Sequence, residues 1–221
     1  MSIRDAAIQY IGWGLCALPA VKAEKRPVCR WKAYQHRLPT ELEWTQWRHA
    51  DAVCIVCGNV SGNLLMIDFD QQGKALSDFD DKIPRELFDR LVIEKSQSGG
   101  FHIIVRSEAS VAKNTILAKD SNGKVLIETR GEGGLFLCAP TPGYELAQGD
   151  FNSIPVLTPD EIETLLVAAN CESSFTKPGT FKRCFGNVSG QSSSSSSSIS
   201  SSGMVVMNSG SSTGSRKNAS P

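Results

Sequence analysis

Two aspartates separated by one residue, Asp68 and Asp70, follow an apolar run at positions 64–67. Alternate residues of a β-strand point to the same face of a sheet, so a strand here places the two carboxylates side by side. Like charges held that close repel each other, whereas a divalent cation between them would make the arrangement favourable. The pair is therefore either a metal-binding site or two acids that only end a strand.

A second acidic segment, Asp78-Phe79-Asp80-Asp81, contains the same Asp-Phe-Asp pattern, so this pattern alone does not identify a metal site. Its neighbours are polar and Pro84 follows shortly after it. This pattern predicts a solvated lead into a helix that buries Leu87, Phe88 and Leu91 on one face.

The segment Ser96-Gln97-Ser98-Gly99-Gly100-Phe101-His102 joins two predicted strands. Glycines at a hairpin tip often do no more than form the turn. The alternative is a phosphate-binding turn, in which Ser98 and nearby backbone N–H groups face a phosphate and His102 adds a further donor.

A third acid, Glu128, ends the apolar strand that begins at Val125 and is followed two residues later by Arg130. Strand alternation places Glu128 and Arg130 on one face, so the two side chains can form a local ion pair. Alternatively, Glu128 joins Asp68 and Asp70 to hold two hard cations, which prefer oxygen ligands. Two such ions can activate an attacking hydroxyl and stabilise the leaving oxygens in phosphoryl transfer.

The elements that must position these residues are short strands bounded by glycine or polar turns, with a few capped helices. Helices are predicted from Ser2 to Ile11, after the capping box Thr40-x-x-Glu43, and after Thr158. The pattern predicts an α+β fold, with an N-terminal α/β unit followed by an antiparallel or mixed sheet with helices. The predicted strands are Val53 to Val56, Leu64 to Asp70, Leu91 to Lys95, Phe101 to Arg106, Val125 to Glu128 and Leu135 to Ala139.

Overall charge gives no argument for nucleic-acid binding, because 23 lysines and arginines balance 23 aspartates and glutamates. A local patch must carry any such role. One basic stretch is interleaved with Trp31 and Tyr34, which suits contact with an incoming nucleotide or a template backbone. It is otherwise a solvated loop whose tryptophan packs in the core. Its proposed contact residues are Lys25, Arg26, Arg30 and Lys32.

Composition divides the 221-residue chain into a folded part, 1–170, and a tail, 171–221, rich in serine and glycine. The tail has too little apolar surface to offset its chain entropy, so we expect it to be disordered. Seven scattered cysteines suit free thiols in a reducing compartment, and Cys54-x-x-Cys57 lacks a second pair to complete a zinc site. With no apolar stretch near 18 residues and no clear signal peptide, we expect a soluble, cytoplasmic protein without a membrane partner.

The three chemistry-bearing segments, in this order, resemble the archaeo-eukaryotic primase superfamily. The similarity is to the primase-polymerase (Prim-Pol) domain of plasmid, phage and integrated-element replication proteins. Asp68 and Asp70 match that family's first motif, the turn ending at His102 its second, and Glu128 its third. The resemblance covers most of residues 1–170, because Lys25-Arg26-Pro27, Trp31-Lys32, the glycine-rich segment 130–134 and Ala139-Pro140-Thr141 also look like family features.

The resemblance implies a two-part catalytic module with an RRM-like sheet, and a DNA primase and polymerase activity. Asp68, Asp70 and Glu128 would hold Mg²⁺ or Mn²⁺. The expected partners are a single-stranded or primed DNA template and (d)NTPs. Domains of this family are often followed by a helicase, but the sequence has no Gly-x-x-x-x-Gly-Lys-Ser/Thr pattern. Three alternatives stay open: the protein works alone, a helicase acts in trans, or a helicase belongs to a longer parent chain. The residues implied to bind the triphosphate are Ser98, Gly99, Gly100, His102 and Arg130.

Two other functions stay open at this stage. The same carboxylates could activate water in a metal-dependent nuclease. A noncatalytic single-stranded DNA-binding or origin-binding module would keep the fold without the reaction.

Overall fold

The computed structural model describes residues 2–47, 50–70, 76 and 79–170. These residues all belong to one compact unit. The tail predicted over 171–221 and Asp78 of the second acidic segment lie outside the described residues. Two sheets, antiparallel except for one short parallel pair, and four α-helices form most of the described part, which confirms the α+β prediction.

The smaller sheet has four strands in the order β2-β1-β3-β9, and every neighbouring pair is antiparallel. Its last strand comes from far along the chain, after most strands of the larger sheet. The N-terminal unit is therefore completed by a C-terminal segment. The strands are β1 (Cys16–Val21), β2 (Arg26–Pro27), β3 (Ala52–Val56) and β9 (Leu135–Cys138).

The larger sheet has the order β10-β5-β6-β4-β8-β7, and β11 pairs in parallel with the end of β6. Its centre is the strand that carries Asp68. Its strands are β4 (Leu64–Phe69), β5 (Val92–Lys95), β6 (Phe101–Ser107), β7 (Thr115–Lys119), β8 (Val125–Arg130), β10 (Glu145–Gln148) and β11 (Val156–Leu157). All six predicted strands are confirmed to within two residues at either end, whereas the other five strands that the structure describes, β1, β2, β7, β10 and β11, were not predicted.

The helices follow the capping signals in the sequence. Ser2 caps α1 (Ile3–Gly12) and Thr40 caps α2 (Glu41–Gln46), each through a capping box. The helix after Pro84 is a single turn, α3 (Arg85–Phe88), and α4 (Pro159–Asn170) begins after Thr158. None of the helices in the described ranges is long and apolar enough to cross a membrane.

The two faces of the larger sheet are buried against different partners. On one face Ile67 and Ile103 pack with α3 and α4 residues such as Leu87 and Leu165. On the other face Met66 packs against the smaller sheet. Because Met66 and Asp68 are two residues apart on β4, the acidic pair lies on the face that meets the smaller sheet.

Candidate active site

Four polar side chains form a row across four adjacent strands of the larger sheet. Asp68 on β4 lies directly opposite His102 on β6 and directly opposite Glu128 on β8. His102 in turn lies opposite Glu94 on β5. Residues paired in this way point to the same face, so the register gathers side chains from four separate segments.

Asp70 extends this row along β4. Its backbone N–H donates to the carbonyl of Leu126 at 2.9 Å, so β4 and β8 stay paired as far as Asp70. Burial raises the pKa of the Asp68 carboxyl and the nearby charge of Asp70 raises it further, while His102, Arg130 and Lys25 lower it. The two aspartates are thus close enough to repel each other, as the sequence predicted.

Glu128 forms an ion pair with Arg130, two residues further along β8. Burial raises the pKa of Glu128, the cation of Arg130 opposes this, and the charges of Asp68 and Asp70 add to it. The local ion pair is therefore the arrangement that the structure contains. Glu128 pairs with a local cation, and it also lies within electrostatic range of the other two acids.

The three carboxylates suit a hard divalent cation by their chemistry, since all are oxygen donors on one face. Within the part of the chain that the structure describes, no three such side chains are gathered closely enough to hold a metal ion as they stand. Asp68, Asp70 and Glu128 therefore have the donor chemistry for Mg²⁺ or Mn²⁺, while Glu128 is engaged by Arg130.

The geometry of the turn before β6 shows why glycine occupies positions 99 and 100. Gly99 has a φ of +83° and donates its N–H to the carbonyl of Ser96 at 2.9 Å. A Cβ on Gly100 would lie 2.1 Å from the Phe69 carbonyl oxygen, so only glycine fits beside the end of β4. Ser98 is exposed, with its Oγ 3.1 Å from the Oγ of Ser96. The hydroxyl of Ser98 is thus within hydrogen-bonding distance of Ser96, and the Gly99 N–H is used within the turn.

The ring of His102 has an acidic side chain near each of its two nitrogens. Its Nε2 lies 3.8 Å from Oδ1 of Asp68, and its Nδ1 lies 2.8 Å from Oε2 of Glu94. The rings of Phe136 and Tyr144 pack against it with centroid distances of 5.6 and 5.8 Å. The imidazole is therefore almost fully buried, with one nitrogen turned toward the acids.

Sequence reasoning missed Glu94. The side chain is fully buried, and its burial raises the pKa of the carboxyl, although hydrogen bonds from His102 and from the Ala139 N–H lower it. One signal was present in the sequence, because a hairpin centred on Ser98 places residues 94 and 102 opposite each other. Only the turn geometry shows that this hairpin is symmetric about Ser98.

The basic stretch lies on and after the β1–β2 hairpin of the smaller sheet. Its four proposed contact residues are exposed, and Arg26 pairs with Glu24. Lys25 lies near enough to Asp68 to lower the pKa of that carboxyl. The aromatic residues are packed rather than free, because Trp31 contacts the smaller sheet's core and Tyr34 is buried there. The four residues are Lys25, Arg26, Arg30 and Lys32.

Comparison with known proteins identifies a family for this chain. The family model described as bifunctional DNA primase/polymerase, N-terminal, matches residues 6–161. No curated protein matches the chain. The matched range contains both sheets and every residue of the polar row.

Proposed function

The chain belongs to the bifunctional DNA primase/polymerase family, and on that premise we propose that it extends or starts DNA chains by template-directed nucleotidyl transfer from (d)NTPs. The observation that carries this proposal is the register that sets Asp68 between His102 and Glu128 on one face. A carboxylate cluster beside a histidine and a serine-bearing turn suits a triphosphate together with its counter-ions.

Asp68, Asp70 and Glu128 are the residues that would hold Mg²⁺ or Mn²⁺. Bound there, the cations would supply activation of the attacking 3′-hydroxyl and neutralisation of the charge that develops on the α-phosphate. In this role Glu128 would give up its ion pair with Arg130, and the guanidinium would then be able to donate to a phosphate oxygen.

The triphosphate would be held by donors on the same face of the sheet. The exposed Ser98 hydroxyl and His102 contribute hydrogen bonds, and Arg130 contributes charge. Gly100 contributes by shape, because it lets the turn lie against the end of β4 without a side chain in the way, and Gly99 contributes by adopting the positive φ that the turn requires. The exposed cations at Lys25, Arg26, Arg30 and Lys32 would contact template or nucleotide phosphates.

The proposal is tested by extension of a labelled primer on a DNA template with Mg²⁺ or Mn²⁺. The double variant Asp68→Ala/Asp70→Ala should lose extension by about 10²-fold or more, because charge stabilisation of the transition state is removed. Asp81→Asn is the matched control, since Asp81 is an exposed acid outside the site. Extension that survives the double change would contradict the proposal.

The same assay separates the other functions. Shortening of the template without incorporation would identify a nuclease, and DNA binding without metal-dependent synthesis would identify a noncatalytic binding module. A reaction without primer on single-stranded DNA, run separately with ribonucleotides and deoxynucleotides, tests for priming. Short products in that reaction would establish chain initiation.

A further inference from the structure

Glu94 is the one member of the polar row with no role in the function proposed above. Its side chain is completely buried on β5, yet both of its oxygens are engaged. Oε2 lies 2.8 Å from Nδ1 of His102, and Oε1 accepts a hydrogen bond from the Ala139 N–H at 2.5 Å. A carboxylate withdrawn from water is costly unless its partners are fixed, so this arrangement is a built site.

The Ala139 N–H determines which carboxylate oxygen of Glu94 faces the imidazole of His102. Because this donor occupies Oε1, the remaining oxygen is turned toward the imidazole. A carboxylate oxygen accepts, so the proton between Oε2 and the ring belongs to Nδ1. The opposite nitrogen, Nε2, then faces Asp68 at 3.8 Å.

Residues of α1 and of the smaller sheet also contact Ala139 and His102. Ala139 follows β9, and its carbonyl accepts a hydrogen bond from the Tyr10 hydroxyl at 2.7 Å. Phe136 on β9 packs edge-on against the His102 ring. The position of the histidine on the larger sheet is thus tied to the end of a strand on the smaller one.

We propose that Glu94 is a positioning residue, which keeps a proton on Nδ1 of His102 and directs Nε2 toward Asp68 and the triphosphate. The half of the inference that concerns the triphosphate rests on the proposed function, whereas the Nδ1 proton is a property of the folded chain alone.

The Nδ1 proton is tested on the wild-type chain by NMR of ¹⁵N-histidine-labelled protein. The chain has three histidines, so the signals of His102 are identified by their loss in His102→Ala. We expect Nδ1 to be protonated in the wild type. In Glu94→Gln the amide Oε1 still accepts from Ala139, but its NH₂ group faces the ring, so we expect a bare Nδ1 and a proton on Nε2. A bare Nδ1 in the wild type would overturn the proposal without any variant.

The effect of Glu94 on nucleotide binding through His102 is tested by steady-state primer extension. Glu94→Gln should raise the KM for the nucleotide by about tenfold, with a smaller change in kcat, because a neutral amide fixes the orientation of the ring less firmly than the charge-assisted bond of a carboxylate. Glu94→Gln/His102→Ala should be no worse than His102→Ala alone, because Glu94 acts through His102. Glu163→Gln, an exposed glutamate on α4, is the matched control.

The two proposals fail in different ways. A wild-type chain that does not extend primers refutes the proposed function, while the NMR result still decides the Nδ1 proton. An active wild type whose KM is unchanged in Glu94→Gln overturns the positioning role, even if the proton moves as expected. Additive losses in the double variant would overturn it as well.

Discussion

Asp68 and Glu128 face each other directly across the antiparallel pair β4 and β8. Directly opposed Cα atoms in such a pair are only about 4.5–5.5 Å apart. The two carboxylates belong to segments about sixty residues apart in the sequence, and the charge of Asp68 adds to burial in raising the pKa of Glu128. This opposition costs stability when both groups are ionised and nothing offsets it.

The first prediction is that Mn²⁺ or Mg²⁺ stabilises the fold. A ligand at 100 times its Kd adds about 2.7 kcal/mol, which for a chain of this size raises Tm by about 5–10 °C. Glu128→Gln should lose most of this shift, and Asp81→Asn should keep it. Thermal unfolding, monitored by circular dichroism, measures the effect. A sample in NaCl at the same ionic strength shows how much of the shift comes from general charge screening. An equal response in Glu128→Gln would exclude that residue as a ligand.

The second prediction concerns Arg130, whose ion pair with Glu128 competes with metal binding. Arg130→Gln should tighten binding of Mn²⁺ alone, because Glu128 is freed. It should also raise the KM for the nucleotide by about tenfold, since one charge-assisted hydrogen bond to phosphate is lost. Calorimetric titration and primer extension measure the two effects. Weaker metal binding in this variant would show that Arg130 organises the carboxylates instead of competing for them.

The acidic face could be predicted from the sequence because it depends on local rules. Alternation along one strand is enough to put Asp68 and Asp70 together, and an apolar strand before each acid fixes where that strand ends. Capping boxes at Thr40 and Thr158 likewise located helices, because the cap and its partner are three residues apart.

The remaining parts depend on distant pairing that no local pattern encodes. The position of Glu94 opposite His102 follows from the hairpin register, and the register follows from the turn. The assignment of Leu135–Cys138 to the smaller sheet follows from its pairing with β3, about eighty residues earlier. Whether Glu128 bonds to Arg130 depends on rotamers, which strand alternation leaves open.

The third prediction is that Gly100 is required for folding. A Cβ there would meet the Phe69 carbonyl at 2.1 Å, and a backbone atom cannot move aside cheaply. Gly100→Ala should therefore lower the free energy of unfolding by about 3 kcal/mol or more. Gly123→Ala is the control, because Gly123 has a φ of +82° but no atom within 4 Å of the added Cβ, so it should lose only about 1–2 kcal/mol. Urea unfolding measures both, and equal losses would refute the steric explanation.

The fourth prediction concerns thiols. Burial raises the pKa of Cys16 to about 12 and also raises those of Cys54, Cys57 and Cys138, whereas Cys29 is only partly buried. In a Cys171→Ser/Cys184→Ser background, a disulfide reagent at pH 8 should therefore modify Cys29 first. The other four should react only after unfolding in guanidinium.

The thiol experiment also tests whether Cys54 and Cys57, the C-x-x-C pair, could act together. Cys54 packs with Leu18 on one face of the smaller sheet, and Cys57 packs with Met66 on the other. Three residues apart on an extended strand, they point in opposite directions and cannot hold one metal ion together. Rapid joint modification of these two cysteines in the native protein would contradict this packing.

The last prediction is a loss of stability in acid that originates at Glu43. Its carboxylate accepts from Arg37 and from the Thr40 N–H of the α2 capping box, and these hydrogen bonds hold the pKa of Glu43 well below its ordinary value of 4.5. For a carboxyl with a lowered pKa in the folded state, the stabilisation is fully present above the unfolded pKa and is lost as the pH falls toward the folded one. Glu43→Gln should therefore be less stable than the wild type by about 1 kcal/mol at pH 7. The difference should shrink below pH 4.5. Urea unfolding from pH 3 to 7 measures it, with the exposed Glu41→Gln as control on the same helix. A difference between wild type and Glu43→Gln that stays constant across that range would show that Glu43 acts through packing and not through its charge.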